Sequence, residues 1–231
     1  MSFVSAIIPA AGYGLRLRKN IPKALVELNR KPLFIYPLEI ISEYPQISEI
    51  ILVVPADYID LFKKKIKIYC VDKIKAVVAG GMIRQESVEK GLTYVRNETK
   101  WILIHDAVRP FINFKMISEV ISSAKRYGAA TLGVPVSATL KSIDNHQYVK
   151  KTLTRDSVWE IHTPQVFRKE LIIKAHQKFK RCSFTDDAGM VEKLGVRVKV
   201  IRDSSFNIKI TYPEDLFLAE AILKYRKRYG L

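Results

Sequence analysis

The sequence predicts an α/β protein: a mostly parallel sheet with helices on both faces, plus a protruding β-hairpin arm. Three observations carry that reading. Short, continuous apolar runs recur along the 231 residues, as expected of strands buried on both faces. Amphipathic stretches of helical period separate them, which is the signature of crossover helices. The rhythm fails only between positions 136 and 154, where short extended pieces flank a polar turn.

In chain order, Phe3–Ile8 is the first predicted strand, and a loop rich in glycine and alanine follows it. Helices are predicted over Pro32–Glu43, Asp57–Ile66, Arg84–Arg96 and Phe114–Arg126, with strands at Glu49–Val54, Ala76–Ala79, Trp101–His105 and Ala130–Pro135. In Phe114–Arg126, residues Met116, Ile117, Val120, Ile121 and Ala124 fall on one helical face. Val136–Thr154 turns at Asp144-Asn145-His146 and reads as a two-stranded arm. A hairpin is not stable alone in water, so the arm is expected to pack on a second copy of the chain. Helices resume at Lys169–Phe179, Asp186–Leu194 and Pro213–Arg226, with strands at Arg197–Ile201 and Asn207–Ile210. No repeat or linker interrupts the pattern, so 1–231 is read as a single Rossmann-like domain with 136–154 as a dimerisation arm. Ligands of such sheets bind beyond the carboxyl ends of the strands.

Composition narrows the classes. Cys70 and Cys182 are the only cysteines and lack ligand-spaced partners, which argues against a disulfide framework or a zinc site. The longest apolar run, Ile50–Ala56, is far too short to cross a bilayer. No basic region precedes the first apolar strand, so no signal peptide is expected and a cytoplasmic protein follows. The formal net charge of +16 raises a nucleic-acid reading. The basic residues, however, lie in short separate groups at Lys63–Lys65, Lys150-Lys151 and Lys224–Arg228, which suits solvated helix faces. A positive field of this kind draws in multiply anionic small molecules; no nucleic acid and no membrane is expected as a partner.

The chemistry gathers in a few loops. Pro9-Ala10-Ala11-Gly12-Tyr13-Gly14-Leu15-Arg16 follows the first strand, with Pro22-Lys23 behind it. Glycines there let backbone N–H groups turn toward an anion, and Arg16 and Lys23 add two cations. The pattern is neither a Walker A loop nor a dinucleotide fingerprint, which would have a small residue where Arg16 stands. It describes a polyphosphate site. Gly80-Gly81 precede a helix start carrying Ser87, a place where a flat base can lie against backbone and find N–H donors. His105-Asp106-Ala107-Val108-Arg109 lies where a strand leaves the sheet. Asp106 there suits a Mg²⁺ or ribose contact and Arg109 a bidentate phosphate contact. An Asp106–Arg109 ion pair shaping the loop is the alternative, and the two roles can coexist. His105 reads as structural. Lys209, inside a short apolar segment, is a catalytic candidate, whereas Thr211, Glu214 and Asp215 suit the start of the last helix.

These stretches, with Arg155 to Trp159, Thr163-Pro164-Gln165 and Thr185-Asp186-Asp187-Ala188, resemble the 2-C-methyl-D-erythritol 4-phosphate cytidylyltransferase family of nucleotidyltransferases in the non-mevalonate isoprenoid pathway. The resemblance runs from Ala6 to Ala221 with the motifs in family order. It implies an enzyme that turns CTP and methylerythritol phosphate into CDP-methylerythritol and pyrophosphate with Mg²⁺ or another divalent cation. It implies a homodimer whose arm reaches into the neighbouring site. It places Ala10, Ala11, Gly12, Gly81 and Ser87 around the cytidine, and Gly14, Arg16 and Lys23 on the triphosphate. Asp106, Arg109, Thr163, Thr185 and Lys209 then face the reacting phosphate or the polyol, and Thr139 and Arg155 come from the partner's arm. Two positions depart from the family pattern: Met82 and Phe206 stand where acidic residues occur in relatives. Arg16, Lys23 and Lys209 are the expected catalytic clamp, and Asp106 the expected metal contact. A ribitol-5-phosphate cytidylyltransferase is the nearest alternative; a nucleotide sensor or a basic nucleic-acid-binding protein is the non-enzymatic one.

Overall fold

A computed structural model describes residues 3–17 and 19–230. The chain runs β1 (Val4–Pro9), β2 (Glu27–Leu28), β3 (Lys31–Pro32), α1 (Ile35–Glu43), β4 (Ile47–Val54), α2 (Ile59–Ile68), β5 (Ile74–Ala79), α3 (Arg84–Leu92), β6 (Trp101–Ile104), α4 (Phe114–Tyr127) and β7 (Ala129–Pro135). The arm follows as β8 (Leu140–Ile143) and β9 (Val149–Leu153), then β10 (Trp159–Arg168), α5 (Lys169–Lys178), α6 (Asp187–Lys193), β11 (Lys199–Arg202) and α7 (Pro213–Tyr229). Among the described residues, no helix is long and apolar enough to cross a membrane.

Seven strands form one sheet in the order β11-β7-β10-β6-β1-β4-β5. All run parallel except β10, which is antiparallel to β6 and β7. Side chains of the central strands alternate between two cores, as the pleat requires. Ala6 and Ile8 pack with Phe34 just before α1, Leu38 of α1, Phe62 of α2 and Ile117 of α4, whereas Ile7 packs with Val88 of α3, Ile172 of α5 and Val191 of α6. Both faces of the sheet are thus covered by helices. In α4 the buried residues are the predicted Met116, Ile117, Val120, Ile121 and Ala124, and Asn113 caps the helix by accepting from the Met116 N–H at 2.9 Å.

The chain leaves β1 for β4 and β5 on one side and returns with β6 on the other. The carboxyl end of β1 is therefore a topological switch point, where ligand crevices form. Backbone bonds carry the pairing past the strand ends: His105 N–H to Ile7 C=O at 3.1 Å, Ala107 N–H to Pro9 C=O at 3.3 Å, and Gly80 N–H to Val54 C=O at 2.8 Å. Three loops are fixed side by side in this way.

Two sequence expectations need correcting. No strand is predicted where β10 lies, yet Trp159–Arg168, which contains Pro164, pairs with both β6 and β7. The register shifts between His162 and Gln165, so the proline sits in a bulge where it owes the ladder no N–H. Asn207–Ile210, predicted as a strand, pairs with no sheet. It is an extended strap tied down singly: Ile210 N–H to Val108 C=O at 3.0 Å, the Arg109 guanidinium to Asn207 C=O at 2.6 Å, and the Asn207 amide to Thr163 C=O at 3.0 Å.

The arm is a two-stranded sheet of its own. Asp144 shapes its turn, the carboxylate accepting from the His146 and Tyr148 N–H groups at 2.9 Å each. Ile143, Tyr148 and Val149 are all exposed on it.

Candidate active site

A cavity of about 280 Å³ opens at the switch point, lined from three loops: Ala10, Ala11, Gly12, Gly14, Arg16 and Lys23 after β1, Gly81 to Arg84 with Ser87 after β5, and Asp106 after β6. Lys209 reaches it from the strap. A second cavity of about 820 Å³ lies alongside, lined by Arg109, Glu160, His162, Arg202 and Asp203 among others, and again by Lys209. Among the described residues, Lys209 is the one that both cavities share.

The glycine loop is wound tightly around Lys23. Gly14 has φ +62°, and a Cβ there would stand 2.6 Å from the Lys23 Cβ; only glycine fits. The Lys23 N–H donates to Gly12 C=O at 3.1 Å, and Pro22 leads the lysine into a short 3₁₀ turn, Lys23–Leu25. Lys23 is only 9 % exposed. Burial lowers its pKa to about 8, and the nearby cations Lys209 and Arg16 push in the same direction. Arg16 lies exposed at the mouth, its guanidinium 5.4 Å from the Tyr212 ring centre.

Asp106 is buried beneath Lys209. Burial alone would raise its carboxyl, but Arg84 and Lys209 beside it hold it well below the usual carboxylate range. Arg84 Nε donates to one carboxylate oxygen at 2.8 Å and Lys209 Nζ to the other at 2.6 Å. The alternative of an Asp106–Arg109 ion pair is not formed; those two residues share only a backbone bond, Arg109 N–H to Asp106 C=O at 3.0 Å. Arg109 is buried, with one Nη donating to the strap, and it lines the second cavity. His105 is structural as expected: burial lowers its pKa to about 4, and its ring nitrogens face Arg109 C=O and Thr163 Oγ1, each at 3.1 Å.

The remaining expected residues divide. Ala10, Ala11, Gly12, Gly14, Gly81 and Ser87 all line the first cavity. The Ser87 hydroxyl is engaged locally, accepting from the Gly81 N–H and donating to Ile83 C=O, both at 3.2 Å. Thr163 stands behind Asp106 and accepts its backbone N–H at 3.0 Å. Thr185 is exposed and lines neither cavity. Thr139 and Arg155 are exposed on the arm and line neither cavity of their own chain. Arg155 donates to Ser137 C=O, tying the two ends of the arm together.

Sequence reasoning missed Arg84, which lines the first cavity and binds Asp106 and Asp187 together. A signal was available, since a cation as the first residue of a helix opposes the helix dipole and needs a reason to be there.

The chain matches the family model described as 2-C-methyl-D-erythritol 4-phosphate cytidylyltransferase over residues 4–225. It is 42 % identical to the protein of that name from Syntrophus aciditrophicus, covering 96 % of each chain. It is also 42 % identical to the one from Desulforamulus reducens, covering 98 % of each. The crystal structure of the 4-diphosphocytidyl-2C-methyl-D-erythritol synthase from Anaerococcus prevotii superposes with a TM-score of 0.85 at 34 % identity, covering 96 % of both chains. The corresponding Thermus thermophilus cytidylyltransferase structure gives 0.80 at 29 % identity, with 97 % of this chain and 100 % of that chain covered.

Proposed function

The chain belongs to the 2-C-methyl-D-erythritol 4-phosphate cytidylyltransferase family and transfers CMP from CTP to 2-C-methyl-D-erythritol 4-phosphate; from that premise we propose how its residues carry the reaction. An oxygen of the substrate phosphate attacks the α-phosphorus of CTP in line. That O–P bond forms as the bond to the bridging oxygen of pyrophosphate breaks. The nucleophile is already an anion, so no general base is required, and among the described residues no neutral histidine or free carboxylate lines the first cavity to act as one. The barrier is repulsion between anions and charge developing on the phosphoryl oxygens, which preorganised cations lower.

The observation that carries this reading is Lys209 on the wall common to both cavities. CTP occupies the first, with cytosine against Ala10, Ala11, Gly81 and Ser87 and the triphosphate between Gly14, Arg16 and Lys23. The polyol phosphate occupies the second, against Arg109. Lys209 then meets both phosphates where they react. Thr163 acts from behind, by fixing the Asp106 backbone.

A divalent cation, Mg²⁺ above all, fits this site only as part of a metal–nucleotide complex. Among the described residues, Asp106 is the sole carboxylate lining the first cavity, and both of its oxygens already accept from cations. No group of three potential ligands is present among the described residues either. Phosphate oxygens and water would therefore supply most of the coordination, with Asp106 the nearest protein carboxylate. When bound, such an ion neutralises phosphate charge.

We further propose a homodimer through the arm. Its exposed Ile143, Tyr148 and Val149 need a partner surface, and Thr139 and Arg155, which line neither of the two cavities of their own chain, would complete a shared site. Both substrates are multiply charged and membrane-impermeant, which suits a cytoplasmic enzyme. Pyrophosphate release from CTP should saturate with methylerythritol phosphate and stay near background with ribitol 5-phosphate. Equal turnover of the two polyols would refute the assignment of the second cavity.

A further inference from the structure

Behind the clamp a row of paired side chains runs from Lys209 to His176, and the reaction scheme leaves its inner members Arg84, Asp187 and His176 unused. Lys209 Nζ meets Asp106 at 2.6 Å, Asp106 meets Arg84 Nε at 2.8 Å, Arg84 Nη1 meets Asp187 at 2.7 Å, and Asp187 meets His176 Nε2 at 3.1 Å. These residues come from the strap, the loop after β6, the first turn of α3, the first turn of α6 and the last turn of α5. Asp187 is 0 % exposed and lines neither cavity. A carboxylate so placed is disfavoured by burial unless its neighbours hold it charged. Arg84 is that neighbour, and His176 takes the other oxygen.

A planar guanidinium holds two carboxylates at a fixed mutual angle, which an ammonium cannot do. Arg84 also sits one turn after Gly80-Gly81, against the proposed nucleotide site, and it takes one Asp106 oxygen so that only the other remains for Lys209. Without Arg84, the Asp106 oxygen it holds would lose its partner, and the carboxylate, tied to Lys209 alone, would be free to turn and carry the ammonium with it.

We propose that Arg84 is a positioning residue for the transfer reaction: braced from behind by Asp187 and His176, it fixes Asp106 and thereby places the Lys209 ammonium at the junction of the two cavities. The inference rests on the reading of Lys209 as part of the catalytic clamp.

The test is pyrophosphate release at saturating CTP and methylerythritol phosphate for Lys209→Ala, Arg84→Met, Arg84→Lys, Asp187→Asn and the double variant Arg84→Met/Asp187→Asn. Asp187→Asn, isosteric and remote from both cavities, should lower kcat by on the order of tenfold with the KM for CTP little changed. Arg84→Met should lose more, and Arg84→Lys should recover part of that loss. The double variant should be no slower than Arg84→Met alone, because the two act through one path. A purely structural ion pair would lower Tm and leave the kcat of the folded enzyme intact. Wild-type kcat in folded Asp187→Asn and Arg84→Met, with Lys209→Ala inactive, would overturn the inference and spare the clamp. An active Lys209→Ala would overturn both. Should Asp187→Asn not fold, equal kcat for Arg84→Met, Arg84→Lys and the wild type decides against the inference by itself.

Discussion

Replacing Lys23 by methionine should make the unliganded protein more stable and the enzyme nearly inactive. Methionine keeps the unbranched stem that packs against Gly14 and removes only the charge. Burial, with Lys209 and Arg16 nearby, lowers the Lys23 pKa from 10.5 to about 8. A drop of that size corresponds to roughly 3 kcal/mol against the charged form. Water reaching the ammonium through the open cavity screens part of it, which leaves about 2 kcal/mol. Against that gain the variant forgoes a single long hydrogen bond, Lys23 Nζ to Thr211 Oγ1 at 3.4 Å. For a chain of this length the expected rise in Tm at pH 7 is therefore about 4–8 °C.

The pH dependence separates this cause from a general packing effect. Below about pH 8, Lys23 is charged in both folded and unfolded chains and the full penalty is present. Between about 8 and 10.5 the folded lysine has lost its proton while the unfolded one keeps it. The unfolded state then binds more protons, so wild-type stability rises with pH relative to the variant. The gap should close by the upper end of that window. Denaturant melts of both proteins at pH 7 and pH 10, run beside pyrophosphate-release assays, check it. Turnover should fall by on the order of 10²-fold or more, the typical loss for one preorganised donor to developing charge. A methionine variant less stable than wild type at pH 7, or a stability gap unchanged at pH 10, would refute the electrostatic account. Near-normal turnover would remove Lys23 from the clamp.

Two further outcomes follow from the cavity and the arm. Cytosine read by backbone around Ala10, Ala11 and Gly81 should give CTP a clear preference over ATP and GTP, and Ala11→Leu should lower kcat/KM for CTP; comparable values for CTP and ATP would refute this. Gly81→Val is a poor probe of base binding, since a Cβ there would lie 2.3 Å from the Glu86 Cβ and disturb the turn itself. In the proposed shared site, Lys23→Ala and Arg155→Ala should rescue each other on subunit mixing to roughly a quarter of wild-type activity, the share of intact sites under random two-fold pairing; confirmed exchange with no recovered activity would place Arg155 in its own subunit's site.

Most of the parallel framework is legible in the sequence because its central strands β1, β4 and β6 are largely buried and its helices amphipathic, so each carries a signal of its own. The buried face of α4 can be read residue by residue, and the first loop is identifiable because Gly12, Gly14, Arg16 and Lys23 break any apolar period. The misses share a physical cause. β10 is held by two neighbours and bulges at Pro164, so local propensity argues against a strand that tertiary pairing enforces. The strap 207–210 carries a strand-like apolar pattern, but its hydrogen bonds go to loops rather than to a ladder. Proximity in sequence favours Arg109 as the partner of Asp106, whereas the carboxylate turns toward Arg84, 22 residues away in sequence. Ion-pair partners are set by where loops meet, and single-chain periodicity is silent on that.

The same electrostatics link the site's instability to its chemistry. The described residues lining the first cavity include four cations, Arg16, Lys23, Arg84 and Lys209, and one carboxylate, Asp106. Without substrate these cations repel one another, and the Lys23 pKa, lowered chiefly by burial, is pushed further down by Lys209 and Arg16. A triphosphate and an incoming phosphate would offset that repulsion by giving each cation an anionic partner. In the proposed clamp these cations interact most strongly where anionic oxygens crowd together, which is around the α-phosphorus during transfer. Interactions that strengthen toward the transition state raise kcat, whereas those already complete with bound substrate do not. A cation set that matched CTP alone would bind it tightly and hold it. In the proposed clamp Lys209, tied to Asp106 and shared with the second cavity, would gain its full partner only when both substrates are present. Such a clamp would favour the encounter of two phosphates over the binding of either one.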